Sequence, residues 1–473
     1  MTTFRWGEPG ESVPLPPALA GMTSTRESTP VVVPPPATLP AALNADVSDG
    51  ARLRHATGMS TVDLLLARNG QVPGVPDGVV RPETHDDVLD ILRVASANRV
   101  AVVPYGGGTS VVGGLHAVRE GFAGVVALDL GRLDRLVEVD PLSRTATFEA
   151  GIRAPRAEEL LAGHGLTLGH FPQSFRYATL GGFAATRSSG QASTGYGRFD
   201  QMVVALRAAT PTGSMDLGRA PQSAAGPDLR QLLLGSEGAF GVITRLTLRV
   251  RPASRLRYGG WQFPSFEAGL SAVRELAQSG APPAVVRLSD EAESALSGVD
   301  GCLAILSGDT VPAGGVSLGP APGKAWEESR FHAPYLRDAL LDAGALAETV
   351  ETATFWDRLP QTYAAVREAL ASSFEAALVM CHVSHLYETG ASLYFTVVAP
   401  QDDDPVAQWQ AAKRAASDAI VRTGATISHH HGVGRDHRPW YASEIGPVGV
   451  SMLRAVKQAV DPAGILNPGI LLP

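Results

Sequence analysis

The sequence predicts an α+β fold in which a larger domain of two α/β subdomains precedes a smaller α+β cap domain. Three observations support this prediction. A strand, a helix and a second strand follow one another from Val79 and end in three glycines, Gly106 to Gly108. Short β-branched strands continue as far as Pro252, where the composition changes to amphipathic helices and further strands. At 473 residues, the chain also exceeds the usual size of one domain.

Four regions follow from composition. Residues 1–50 are a proline-rich arm, with ordered chain expected from about Arg52, because proline blocks helices and central strands. Residues 51–253 form the larger domain and residues 254–425 the cap. Residues 426–473 are a C-terminal segment that returns to the larger domain.

The first βαβ unit is the clearest local signal. Strands are predicted at 79–81 and 100–103, and a helix runs from about Thr84 to Asn98. Thr84 is followed three residues later by Asp87, the spacing of a capping box. Apolar residues at helical spacing then form one buried face.

A glycine loop, residues 104–114, follows directly on this unit. Without a Cβ, consecutive glycines can turn their N–H groups toward an anion and form a nest for phosphate. Thr109 and Ser110 add hydroxyl donors. A tight turn is the alternative interpretation.

Further strands are predicted at 125–130, 136–140 and 145–149, with a helix at about 156–163. Residues 171–197 are rich in small and hydroxyl side chains. They are typical of backbone that contacts a flat ligand, or of a long surface loop.

A strand at 202–210 precedes a glycine-punctuated turn and a strand within 232–250. Glu237 in this turn is either a cap or a neighbour of the ligand. In the cap, helices are predicted at 266–279 and 362–371, and strands at 284–288, 377–383 and 391–398. Residues 308–324 are predicted to be an irregular link, and a helix is predicted at 448–460.

Composition excludes several functional classes. The net charge of −8 argues against non-specific binding to nucleic acid or anionic lipid. Two cysteines, Cys302 and Cys381, provide neither a disulfide framework nor a cysteine-rich metal site. No secretion signal or membrane-length apolar run is apparent, so a cytoplasmic protein is expected.

Together, the ordered glycine and hydroxyl segments resemble the vanillyl-alcohol oxidase, or PCMH-type, FAD-binding superfamily. The resemblance covers most of the chain from Val79 onward. It implies FAD, bound non-covalently because the loop carries no histidine or cysteine, although a bond from the cap remains an alternative. The residues implied in cofactor binding are Pro104, Tyr105, Gly106, Gly107, Gly108, Thr109, Ser110, Pro172, Gln173, Ser174, Thr179, Gly181, Gly182, Ala185, Thr186, Arg187, Ser188, Glu237, Gly238, Gly241, Val242 and Ile243.

Within this superfamily the chain is most similar to the alkyldihydroxyacetonephosphate synthases, which form the ether bond of ether lipids. The likeness is carried by FRWG at 4–7, RPETHDDV at 81–88, VRL at 286–288, LRD at 336–338, LYF at 393–395 and SHHHGVG at 428–434. It implies catalytic roles for Tyr394, His429, His430 and His431. Arg337 would bind the substrate phosphate, and Arg287 matches a position important for activity.

The resemblance therefore predicts exchange of the acyl group of acyl-dihydroxyacetone phosphate for a fatty alcohol, with flavin as the electron sink. The alternatives are an FAD-linked oxidase or dehydrogenase of a 2-hydroxy acid or other alcohol, and a flavin-binding protein without catalysis. The expected partner is a small-molecule or lipid-like phosphate ester, without nucleic acid or a transmembrane segment, and a homodimer is left open.

Each site residue also has a structural interpretation. Three histidines can end a solvated strand, Tyr394 can be a core residue, and Arg337 can lie on a helix surface. No metal is predicted, with convergence of His382, His385 and His430 on a metal as the alternative. The link at 308–324 replaces a longer helical portion of the family's cap, and His382 replaces an arginine. These differences put long-chain substrates in question.

Overall fold

The computed structural model describes residues 4–7, 11, 13–24 and 29–473. Strands in these residues form four sheets. The strands are β1 (Gly78–Val80), β2 (Val100–Tyr105), β3 (Gly124–Asp129), β4 (Leu136–Asp140), β5 (Thr145–Glu149), β6 (Leu166–Thr167), β7 (Val203–Thr210), β8 (Gly213–Leu217), β9 (Val242–Arg249), β10 (Arg251–Pro252), β11 (Tyr258–Phe263), β12 (Val286–Ser289), β13 (Cys302–Ser307), β14 (Val316–Gly319), β15 (Ala345–Phe355), β16 (Leu378–Tyr387) and β17 (Gly390–Pro400).

Helices cover the sheets. They are α1 (Asp49–Arg54), α2 (Thr61–Arg68), α3 (His85–Ala97), α4 (Ala154–Ala162), α5 (Leu180–Thr186), α6 (Ser193–Tyr196), α7 (Phe199–Met202), α8 (Arg230–Leu233), α9 (Phe266–Ala277), α10 (Glu291–Ala295), α11 (Ala321–Ser329), α12 (Ala333–Asp342), α13 (Leu359–Ala371), α14 (Pro405–Arg422) and α15 (Arg438–Val460). In the part of the chain that is described, no helix has both the length and the hydropathy needed to cross a membrane.

The first α/β subdomain is a parallel sheet with strand order β1-β3-β2. The predicted helix α3 begins with the expected capping box between Thr84 and Asp87. In the simplest βαβ unit, β1 and β2 would be neighbours in the sheet. Here β3 lies between them. Val125 to Leu128 of β3 are fully buried, which favours the central position for this continuous apolar run.

The second subdomain is a five-stranded antiparallel sheet with order β4-β5-β9-β7-β8. The strand predicted from residue 202 begins one residue later, since Met202 ends the short helix α7. The apolar core of this subdomain includes Phe148, Phe183 and Phe199. The small-residue stretch 171–197 is not one extended segment: it contains α5 and α6, and the Thr179 side chain caps α5 by accepting the Gly182 N–H.

The cap is built on a seven-stranded antiparallel sheet with order β14-β11-β13-β12-β16-β17-β15. Side chains alternate along β17, as the period of two requires. Leu393, Phe395 and Val397 face the core that includes Trp409 of α14. The residues between them, among them Tyr394, face a cavity. One face of the sheet therefore packs against the core, and the other face lines the cavity.

Three segments are more regular than the sequence suggested. The predicted irregular link contains β14 and the start of α11, where Pro322 is tolerated because the first helical turn needs no N–H at that position. The helix predicted at 448–460 is confirmed, since α15 is interrupted at Gly446, where φ is 69° and ψ is 172°, and its second part covers the predicted residues. The helical residues between Arg438 and this interruption were not predicted. Order also begins before Arg52, since Leu43 is buried beside α3 and β3.

Candidate active site

A cavity of about 410 Å³ lies where the larger domain meets the cap sheet. The glycine loop that follows β2 forms one wall, together with residues 172–189 and the turn 236–243. The opposite wall is the face of the cap sheet that carries Tyr394. We call this space the central cavity, and its two walls come from segments that are distant in sequence.

Two positions of the glycine loop, Gly106 and Gly107, have no room for a side chain. A Cβ on Gly106 would lie 2.4 Å from Thr179 Oγ1, and one on Gly107 would lie 2.1 Å from the Tyr177 carbonyl oxygen. Within the described residues, no backbone acceptor is found for the N–H groups of residues 107–110. Such a close-packed loop with free donors fits the pyrophosphate of a dinucleotide.

The structure brings most of the predicted cofactor residues to this one cavity. Those that line it are Pro104, Tyr105, Gly106, Gly107, Gly108, Thr109, Ser110, Pro172, Gln173, Ser174, Thr179, Gly181, Gly182, Ala185, Thr186, Ser188, Glu237, Gly238, Gly241, Val242 and Ile243. The predicted substrate and catalytic residues Arg287, Arg337, Tyr394, His430 and His431 line the same space.

Two predicted residues do not line the central cavity. Arg187 turns away because it caps α5 in a left-handed conformation, and its Nε donates to the Leu234 carbonyl at 2.9 Å. His429 lies behind His430, with its Nε2 2.6 Å from the Tyr387 hydroxyl. Both line a second cavity on the far side of the histidine segment. Direct contact of either side chain with a ligand in the central cavity is therefore not what the structure indicates.

Tyr394 stands in the middle of a cross-strand row. Strand register places it directly opposite His382 on one side and Glu351 on the other. Its ring stacks on His382 at 4.8 Å and on His430 at 5.9 Å between centroids, and its hydroxyl lies 3.2 Å from Thr349 Oγ1. Burial raises the pKa of Tyr394 to about 12, so the hydroxyl keeps its proton at neutral pH.

The histidine loop, residues 428–434, contains His429, His430 and His431. Burial lowers the pKa of His430 and of His431 to about 4, although the Glu351 carboxylate opposes this shift. Both rings are therefore neutral at pH 7 and able to accept a proton. Glu237 accepts the N–H groups of Val433 at 3.0 Å and Gly434 at 2.9 Å, so this residue caps the histidine loop while it lines the cavity.

Arg337 is held at the cavity wall with unused donors. One guanidinium nitrogen, Nη1, lies 3.5 Å from Glu348 Oε1, and the side chain is only 11% exposed. Its buried Nε has no hydrogen-bond partner among the described residues. A buried arginine with a free donor is suited to an anionic ligand such as a phosphate, because an unpaired buried N–H is costly.

Arg287 belongs to a triad with partly buried Glu293 and buried His382. Its Nη2 donates to Glu293 and lies 2.9 Å from His382 Nδ1, which is 3.1 Å from the other oxygen of Glu293. Burial raises the pKa of Glu293, but the charges of Arg287 and His382 outweigh it and bring the pKa to about 2. Since His382 stacks on Tyr394, the triad fixes one side of the tyrosine ring.

The histidines that converge are not the set weighed from sequence. His385, His429 and His430 offer ring nitrogens that lie within 4.8 Å of one another, a spacing compatible with a metal ion. His382 is not among these three, and its Nδ1 lies within hydrogen-bond distance of both Glu293 and Arg287. His385 Nδ1 lies 2.6 Å from Ser193 Oγ.

Sequence reasoning missed several residues of the site. Glu351, Glu293 and Glu348 hold the histidine loop, Arg287 and Arg337 respectively. Glu348 and Glu351 lie on β15 and Glu293 lies in α10, two elements that the sequence analysis did not predict. An acidic residue inside the apolar stretch of β15 was the available signal. An apolar wall was also missed, formed by Leu19 of the N-terminal arm with Leu336, Leu340, Met380 and Val398 of the cap.

Comparison with known proteins agrees with this geometry. The family model for the FAD binding domain matches residues 76–217, and the model for the C-terminal domain of FAD linked oxidases matches residues 253–300 and 320–471. The alkyldihydroxyacetonephosphate synthase of Trypanosoma brucei brucei is 33% identical over 89% of this chain and 77% of its own length.

Solved structures give the same result. A structure of an alkyldihydroxyacetonephosphate synthase superposes with a TM-score of 0.81 at 28% identity, over 95% of this chain and 91% of that one. A p-cresol methylhydroxylase structure matches with a TM-score of 0.67 at 15% identity, over 90% and 93% of the two chains. The latter likeness shows the fold, and it confirms the predicted PCMH-type architecture. The chain therefore belongs to the alkyldihydroxyacetonephosphate synthase family of FAD-dependent enzymes.

Proposed function

We propose that this protein exchanges the acyl group of acyl-dihydroxyacetone phosphate for a fatty alcohol in the central cavity. The observation that carries the proposal is that three side chains line the same cavity as the glycine loop. They are Arg337, whose Nε has no partner among the described residues, and His430 and His431, whose rings are neutral. Anion binding, proton transfer and flavin binding would then take place within one cavity.

The glycine loop and the segments that face it would hold the FAD without a covalent bond. The loop offers glycine, threonine and serine, and neither Cys302 nor Cys381 lines the cavity. When bound, FAD supplies an electron sink for the bonds at C1 of the substrate. Release of all flavin into the supernatant after acid precipitation would support the non-covalent mode, and flavin retained on the precipitated chain would contradict it.

Arg337 would bind the substrate phosphate through its free guanidinium donors, which places C1 beside the histidines. His430 would take the C1 proton at Nε2, since its Nδ1 lies 3.0 Å from His429 Nδ1. The C1–O bond to the acyloxy group breaks and the fatty acid leaves as a carboxylate. The alcohol then forms a new C1–O bond, its hydroxyl proton is released, and C1 regains a proton.

The apolar wall would hold the hydrocarbon chains. Leu19, Leu340, Met380 and Val398 are buried and form one cluster at the cavity. Chain binding there would exclude water from the reacting carbon, because apolar side chains offer no hydrogen bonds.

The remaining assignments belong to the same proposal. Division of the chain near residue 253 is supported by the sheets, since β4 to β9 lie before residue 250 and β11 to β17 lie between residues 258 and 400. Boundaries near residues 50 and 425 are part of the same proposal. A cytoplasmic location is supported by two free, buried cysteines. A homodimer has no supporting contact and stays a prediction.

The test is incubation of flavin-loaded protein with acyl-dihydroxyacetone phosphate and hexadecanol. We expect the ether product together with one equivalent of fatty acid. Absence of ether product from protein whose flavin is fully loaded would contradict the proposal. Anaerobic bleaching of the flavin by a 2-hydroxy acid would favour the dehydrogenase alternative. Unchanged behaviour of Tyr394→Phe and His430→Ala in every assay would favour a binding protein without catalysis.

A further inference from the structure

Three glutamates from distant parts of the chain hold the histidine loop and the residue before it by their backbone N–H groups. Glu444 accepts Ile427 N–H at 2.8 Å, and Glu237 accepts Val433 and Gly434 N–H. Between them, Glu351 accepts three consecutive N–H groups, those of His429 at 2.7 Å, His430 at 3.2 Å and His431 at 2.9 Å. It also accepts the Ser428 hydroxyl at 2.7 Å.

Glu351 is the innermost of the three. Its side chain is fully buried, and the basic partners within 4 Å that the structure describes are His430 and His431. Their Nδ1 atoms lie 3.6 Å and 3.8 Å from its oxygens. A buried carboxylate is costly unless it is hydrogen-bonded, and here four donors meet it. The negative charge is therefore held directly beneath the two imidazoles that line the central cavity.

Other charged and titratable groups surround this carboxylate. His429 and His385 are further imidazoles near it, and burial lowers the pKa of each below its ordinary value. Arg198 donates to the His429 carbonyl at 3.1 Å but is paired with Asp200. Tyr394 of β17 lies directly opposite Glu351 of β15 and stays protonated. Arg337, Lys413 and His437 act on His431 from farther away, and Lys413 is paired with Asp436. Among the described residues, Glu351 is the carboxylate in closest reach of the two rings.

We propose that Glu351 is a positioning residue that fixes the backbone of the histidine loop and stabilises the imidazolium formed when a histidine accepts the C1 proton. This proposal rests on the proposed function. A neutral base in a buried site becomes a cation during proton transfer, and burial alone disfavours that cation. A fixed anion nearby lowers this cost without taking the proton itself, because the carboxylate is already saturated by four donors.

The test compares Glu351→Gln with Glu444→Gln. The first keeps the side-chain volume but removes the buried charge. The second weakens the same backbone segment at its exposed end, where Glu444 holds Thr426 and Ile427. We expect kcat of Glu351→Gln to fall by about 10²-fold or more, with KM for acyl-dihydroxyacetone phosphate within about 3-fold, since general-base catalysis contributes about 10²- to 10⁴-fold. Glu444→Gln should stay within about 3-fold of the wild type.

A second readout separates this proposal from the proposed function. Titration of the ¹⁵N-labelled histidines by NMR reports proton affinity whether or not ether is formed. Removal of the charge should move the His430 and His431 titrations, and the acidic limb of any pH–rate profile, to lower pH. A solely structural role would leave the titrations of a folded variant in place. Unmoved titrations, wild-type kcat in Glu351→Gln, or equal losses in the two variants would overturn the proposal.

Glu351→Asp covers the case in which Glu351→Gln does not fold. It keeps the charge and shifts the carboxylate by one methylene. We expect its histidine titrations to stay near those of the wild type while kcat falls. Loss of the wild-type titrations in a folded Glu351→Asp variant would contradict a role for the charge. Absence of ether product from the wild type, with shifted titrations in Glu351→Gln, would reject the proposed function and leave the electrostatic role of Glu351 intact.

Discussion

Gly107→Ala tests whether the glycine loop is the flavin site. The added Cβ would lie 2.1 Å from the Tyr177 carbonyl oxygen and 2.8 Å from Ala178 Cα, and both of these atoms belong to backbone. Ordinary contact begins at 3.4 Å, so the two segments must separate by about 1.3 Å. Overpacking of this kind costs about 1–3 kcal/mol. Since the same segments form the cavity wall, FAD affinity should fall by about 5- to 150-fold.

The assay is titration of apoprotein with FAD, followed by quenching of flavin fluorescence, together with the thermal midpoint with and without saturating FAD. Gly50→Ala is the matched control. Gly50 lies in the helix α1, where the nearest atom to an added Cβ is Arg54 Nη1 at 3.4 Å. Alanine in that helix should leave FAD affinity unchanged and stabilise the fold by up to about 1 kcal/mol. Wild-type FAD affinity in Gly107→Ala would refute the reasoning.

Three further predictions concern the cap. Arg337→Ala should raise KM for acyl-dihydroxyacetone phosphate by about 10- to 100-fold, since a charge-assisted hydrogen bond contributes about 1.5–3 kcal/mol. An equal increase in KM for a substrate analogue without phosphate would contradict phosphate binding by Arg337. Tyr394→Phe should lower kcat, and its free energy of unfolding should change by about 1 kcal/mol, the value of the lost hydrogen bond to Thr349. In the wild type, the rate should show no loss from tyrosine ionisation below about pH 10, because burial raises the pKa of Tyr394 to about 12. The pKa of Glu293 is about 2 in the folded chain, below its ordinary 4.5, so its stabilising contribution is complete above pH 4.5 and is lost as the pH falls toward 2. Chemical unfolding at pH 6 and pH 3 should show a smaller pH-dependent loss in Glu293→Gln than in the wild type, and equal losses would be evidence against this ion pair.

Local patterns predicted the secondary structure well where the signal was local. The capping box at Thr84 was confirmed because it involves residues three apart. The strands 136–140 and 145–149 have the predicted bounds, since β-branched residues end there at turns. The link at 308–324 was predicted to be irregular from its proline and glycine content, yet Pro322 is tolerated in the first turn of α11.

The site was predictable where a residue type has one physical use. The glycine loop was predictable from the run of three glycines, where a Cβ on Gly106 or Gly107 has no room. The role of Arg337 was implied only by the family resemblance, since its burial is visible only in the structure. Arg187 was predicted to bind the cofactor but does not line the central cavity, since its orientation follows from the left-handed cap of α5 and a hydrogen bond to a carbonyl 47 residues away. No periodicity in the sequence reports such a contact.

The sequence by itself determined the glycine loop, the elements of the first βαβ unit and the histidine triplet, because these depend on properties of neighbouring residues. Tertiary structure alone decided that β3 enters between β1 and β2, that Leu19 of the arm reaches the central cavity, and that Glu351 holds a loop 78 residues further along. The physical reason is that a buried charge or an apolar wall is defined by what surrounds it in space. Those surroundings exist only after distant segments have packed together.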